Sequence, residues 1–100
     1  MIAIDFDGSD EWQRMTPEER TRWGRSAVAA RIMDASKAQG LTGKARDNFA
    51  MREWMSAYCF ADERSRENAD LQVLARSLWV NSIAVATRGF SVVEEFAREG

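Results

Sequence analysis

Apolar residues recur along this chain at helical spacing, in three long runs and one short one. Trp23, Ala27, Val28, Ala30, Ile32, Met33 and Ala35 make the first run, with the period of an amphipathic helix. Thr16-Pro17-Glu18-Glu19 stands ahead of it: a capping threonine, a proline suited to the first helical position, and a glutamate that completes a capping box. Gly40 supplies the stop. The spacing predicts a helix from about Pro17 to Gln39. Thr42 is the candidate cap of a second helix, from Gly43 to about Ala61, with Met51, Trp54, Met55 and Tyr58 on one face. Phe49 and Phe60 fall on its opposite side. A helix with aromatics on two faces is either sandwiched or lies at a partner interface.

Asp62 to Asp70 reads as a charged turn, with Ser65 as the cap of a third helix running to Arg88. Leu71, Leu74, Ala75, Leu78, Trp79, Ser82 and Val85 form its main face. Val73, Ser77, Val80 and Ala84 form a second stripe, expected in the core; exposed, it would be a homodimer or partner face. Gly89 ends that helix. Ser91-Val92-Val93-Glu94 reads as a capping box for a short last helix carrying Val93, Phe96 and Ala97. At the other end Ile2, Ile4 and Phe6 alternate with small or polar residues, as in a short strand or extended arm. Gly8-Ser9 breaks it, and Asp10 to Met15 can form one helical turn. The expected fold is all-α: one small domain over residues 1–100, a bundle of four or five helices with a short extended N-terminal arm.

Composition narrows the chemistry. An apolar fraction of 45% is that of a folded chain, and 100 residues hold one core but no large substrate cleft beside it. There is no His, which removes the usual general base, His triads and His-ligated metals. The single Cys, Cys59, allows neither an intrachain disulfide nor a Cys-cluster zinc site. No Lys or His stands near to activate it, so a buried structural thiol is expected. No catalytic residue and no cofactor is expected. The longest apolar stretch, Leu78 to Ala86, is too short and too polar to span a bilayer, so no membrane association is expected. The first residues lack the pattern of a signal peptide, and a lone Cys fits a reducing compartment. The expected location is a bacterial cytoplasm. Twelve Arg among fourteen bases, with fifteen Ala, fit a GC-rich bacterial or phage genome.

The net charge of −2 is unevenly placed: residues 1–11 carry −4, residues 12–88 carry +4 and residues 89–100 carry −2. Two acidic clusters stand out, Asp5, Asp7, Asp10 and Glu11, and Asp62, Glu63, Glu67 and Asp70. Such runs are either solvated surface or contacts for a basic partner, where carboxylates steer association and pair with Arg or Lys. Trp12 is either a lid over the core or the aromatic anchor of such a contact. A protein partner with a basic, nucleic-acid-binding surface is the expectation, without direct nucleic-acid contact. A homo-oligomer is compatible with the sequence.

Three resemblances bear on function. Met1-Ile2-Ala3-Ile4-Asp5-Phe6-Asp7-Gly8 resembles the first motif of haloacid dehalogenase-like phosphohydrolases, which implies an Asp nucleophile and an Asp acid/base beside Mg2+. Ser82-Ile83-Ala84-Val85-Ala86-Thr87 faintly resembles that family's second motif, a strand ending in a hydroxyl. The Lys and the acidic pair of the later motifs have no counterpart after Thr87, and the fold needs a parallel sheet. Ile32 to Trp54 resembles a helix-turn-helix, with Lys44, Arg46 and Arg52 on the second helix, which implies a DNA-binding regulator. Asp47 and Glu53 beside those bases, and the acidic whole, oppose phosphate binding. The whole chain, small, acidic, helical and without a motif, resembles anti-CRISPR proteins. That implies a non-enzymatic inhibitor of a type I, notably type I-F, CRISPR surveillance complex, blocking target DNA binding or hybridisation through acidic surface.

Overall fold

Four helices follow one another in the computed structural model, which describes residues 14–99: α1 (Pro17–Ala38), α2 (Gly43–Arg64), α3 (Ala69–Arg88) and α4 (Phe90–Arg98). The described residues contain no strand, and the fold is a small all-α bundle. The expected arm at Met1 to Phe6, the turn before Arg14, and Asp5, Asp7, Asp10, Glu11 and Trp12 lie outside the described residues.

The boundaries of α1 follow its terminal residues. Thr16 Oγ1 accepts from the Glu19 N–H at 3.2 Å, and the Glu19 carboxylate accepts from the Thr16 N–H at 3.0 Å. Both halves of the capping box are made. At the far end Gly40 takes φ +66°, and the Leu41 N–H reaches back to the Ser36 carbonyl at 3.1 Å. This is the Schellman closure that a glycine permits.

The other termini differ from expectation. Thr42 sits at the N-cap of α2 in extended conformation, but its hydroxyl makes no capping bond. The second helix runs one turn beyond Ala61, because Asp62, Glu63 and Arg64 continue it and the Ser65 N–H bonds to the Ala61 carbonyl at 2.9 Å. Ser65 therefore closes α2 rather than opening α3; its hydroxyl donates to the Asp62 carbonyl at 2.6 Å. The expected Ser91–Glu94 capping box is absent too. The α4 helix begins at Phe90 with Gly89 at its N-cap, and the Ser91 hydroxyl donates to the Arg88 carbonyl at 3.0 Å. The cap comes from α2, where Asp47 Oδ1 accepts from the Phe90 N–H at 2.9 Å.

The core lies where the four helices meet, with Trp54 at its centre, fully buried. Its Nε1–H donates to the Leu78 carbonyl at 2.8 Å, and its ring stacks on Phe96 at 5.4 Å. The only polar atom of the side chain is thus satisfied, as burial requires. Around it lie Val28 and Ile32 of α1, Leu71, Leu74, Leu78 and Val85 of α3, and Val92 and Val93 of α4. Gly24 lets α1 approach α3: a Cβ there would stand 2.8 Å from Leu74 Cδ2.

Two core assignments change. The buried residues of α2 are Phe49, Ala50, Trp54, Ala57 and Ala61, while Met51, Met55 and Tyr58 are half-exposed. On α3 the stripe is Leu71, Leu74, Ala75, Leu78, Ser82 and Val85. Trp79 is 54% exposed, Val73 47%, Val80 63% and Ile83 72%. Within the second stripe of α3, Val73 and Val80 are outward rather than core, whereas Ser77 is half-buried and Ala84 packs against the core. The helix buries one side only, and Val73 and Val80 lie across it from Leu74 and Leu78.

Candidate protein-binding surface

Turning Ala50, Trp54, Ala57 and Ala61 inward leaves the opposite side of α2 outward. Two rows of side chains run along it. Met51, Met55, Cys59 and Glu63 follow at intervals of four, and Arg52, Ser56 and Phe60 follow beside them. Such rows are the ridges that helices pack between. The furrow they form is an open depression of about 640 Å3. Among the described residues, one helix alone lines it. Its floor is thioether, thiol, ring and methylene, and small Ser56 lies midway along it. Methionine-lined grooves suit partner helices, since the thioether adapts its shape at little cost.

Cys59 belongs to this furrow and is exposed, which corrects its expected burial. The reason is rotational: it lies nearly opposite the Trp54 stripe on the helix. Tyr58, on the other flank, packs its ring on Trp79 of α3, with centroids 5.2 Å apart. That pair joins the outer surfaces of α2 and α3.

The furrow ends at the acidic corner. Glu63 lines it and stands in the last turn of α2, next to Asp62; Glu67 follows in the connection, and Asp70 falls in the first turn of α3. Asp62, Glu63 and Glu67 are exposed. Among the described residues none of these three carboxylates has a base at ion-pair distance. Of the two arginines interleaved with them, Arg64 lies flat over the Phe60 ring at 4.3 Å, and Arg66 is exposed. The structure thus gathers one of the two expected acidic clusters beside an apolar groove.

Ser82 to Thr87 is helical, not a strand. The Ser82 hydroxyl donates to the Trp79 carbonyl at 2.6 Å, and the Thr87 hydroxyl to the Ile83 carbonyl at 2.7 Å. Both hydroxyls are held within α3. Of the three bases on the helix-turn-helix candidate, Arg46 is stacked on the Phe90 ring at 4.3 Å and half-buried. Among the described residues no three Asp, Glu or Cys side chains gather as metal ligands, and no helix is long and apolar enough to cross a membrane.

No protein-family model, characterised protein or solved structure matches the chain.

Helical spacing sets Met51 and Met55 on the same face as Trp54 and does not separate the buried residue from the exposed ones. The signal that separates them is the alanine series at 50, 57 and 61. Small residues at that spacing mark where helices approach closely, and with Trp54 they define the buried side.

Proposed function

We propose that this protein is a non-enzymatic inhibitor that works by binding another protein through the α2 furrow and its acidic end. The observation that carries this reading is the position of Glu63, which lies at the end of the furrow beside exposed Asp62 and Glu67, three carboxylates with no base at ion-pair distance among the described residues. An apolar furrow takes a ridge of partner side chains and supplies the buried area. Carboxylates at its end select a basic surface and speed encounter. A surface that ordinarily holds nucleic acid meets both conditions. The partner class we assign is the type I CRISPR surveillance complex, type I-F foremost, whose Lys and Arg sites for target DNA the acidic corner would occupy. The N-terminal carboxylates Asp5, Asp7, Asp10 and Glu11, with Trp12, lie outside the described residues and add nothing to this reading.

Binding to purified type I surveillance complex, followed at rising salt, tests it. The expected affinity falls with ionic strength, as it does for steering by exposed carboxylates. Met55→Asp places a charge in the furrow and is expected to weaken binding about 30-fold or more, the loss of a central anchor. Joint Asp62→Ala, Glu63→Ala, Glu67→Ala and Asp70→Ala substitution is expected to slow association. Absence of binding by the wild-type chain would overturn the partner assignment.

A further inference from the structure

The outer face of α3 is a second apolar surface. From Leu71 to Thr87 the chain carries a single charged residue, Arg76. Val73, Trp79, Val80 and Ile83 are 47%, 54%, 63% and 72% exposed along it. Their uncovered parts amount to about 400 Å2 of apolar area, within the range of the largest patch on a monomer, which is often functional. Val73, Val80 and Thr87 recur every seven residues, with Arg76 and Ile83 between them. That is the 3-4 spacing of a two-helix seam, with Val73, Val80 and Ile83 as its apolar positions.

We propose that this face pairs with a second copy of the chain, α3 against α3, antiparallel about Val80. The seam is self-complementary in that sense. Val80 meets Val80 of the second copy, Val73 meets Thr87, and Ile83 meets the small Ser77. Charge selects the direction. A parallel pair would set the two Arg76 guanidiniums side by side, where like charges oppose association. In the antiparallel pair each Arg76 lies beside Ala84, in the last turns of the other α3, whose carbonyls favour a cation. The cation already at that end, Arg88, is engaged by Glu95. With Gln72, Ala84 and Thr87 at the rim, the pair buries about 1,000 Å2 in total, the lower bound of a specific interface. The dimer is therefore reversible.

Sedimentation equilibrium of the full chain from about 1 μM to about 1 mM covers the range in which such association is resolved. The weight-average mass is expected to climb from 11.4 kDa towards twice that value. Val80→Asp, which sets two carboxylates against each other at the centre, is expected to remain at monomer mass throughout with an unchanged helical spectrum. Cross-linking reads the direction. In a Cys59→Ser background, Val73→Cys with Thr87→Cys is expected to give covalent dimers under oxidation, and Val73→Cys alone is not. A wild-type mass fixed at 11.4 kDa across the range, as a face reserved for a different protein would give, overturns the proposal. So does self-association of Val80→Asp equal to that of the wild type, and cross-linking by Val73→Cys alone overturns the antiparallel sense.

Discussion

Asp47 caps a helix to which it does not belong. Its carboxylate reaches from the start of α2 to the first N–H of α4, and Gly89 clears the way: φ is +69°, and a Cβ would stand 2.5 Å from Asp47 Oδ1. Asp47→Ala is therefore expected to cost about 1 kcal/mol in urea unfolding, the worth of a cap. Asp47→Asn keeps an oxygen acceptor and is expected to be nearly neutral. Gly89→Ala combines a left-handed backbone with the clash and is expected to cost about 1–3 kcal/mol, more than loss of the cap itself. At the start of α1 the same chemistry is sensitive to pH. The Glu19 carboxyl is held below its ordinary value of 4.5, first by the Thr16 N–H, then by the Thr16 hydroxyl and the nearby Arg22. A carboxyl whose folded pKa is depressed favours folding above its unfolded pKa, and that contribution disappears as pH falls through the folded value. The stability difference between wild type and Glu19→Gln is expected to be constant at neutral pH and to shrink below pH 4.5, followed by thermal melts. Glutamine can still cap but does not titrate.

The helices themselves divide labour between core and surface. Gly24 shows how tightly α1 and α3 are fitted, since Leu74 fills the space a methyl would take. Alanine is the better helix former by about 1 kcal/mol, whereas overpacking a closed core costs about 1–3 kcal/mol. Leu74 is fully buried and has nowhere to go, so Gly24→Ala is expected to destabilise the protein in chemical denaturation. A gain in stability would mean that the crossing is looser than described. The helices were legible from periodicity, and the α1 termini from Thr16, Glu19 and Gly40. What sequence could not supply was anything decided by another helix. The α4 cap comes from a residue 43 positions away, so a local Ser-x-x-Glu pattern was misread. The furrow and the outer α3 face were hidden by a related ambiguity. Apolar residues all around a helix signal burial on two sides or burial on one with a partner on the other. Only the packing of Trp54, and the alanines beside it, separates those cases.

At the scale of the whole molecule, the described helices show two unlike surfaces. The α2 furrow leads to carboxylates, while the α3 face carries one charge in seventeen residues. The hydroxyls of Ser82 and Thr87 donate within their own helix. The proposed contact sets the furrow and its acidic end against a basic protein surface that otherwise holds DNA. Surface plasmon resonance of the chain over immobilised type I-F surveillance complex, with and without saturating target DNA, tests this most directly. Saturable binding is expected, displaced by DNA and weakened about 30-fold or more by Met55→Asp. Absence of binding, or binding indifferent to both DNA and Met55→Asp, would contradict it.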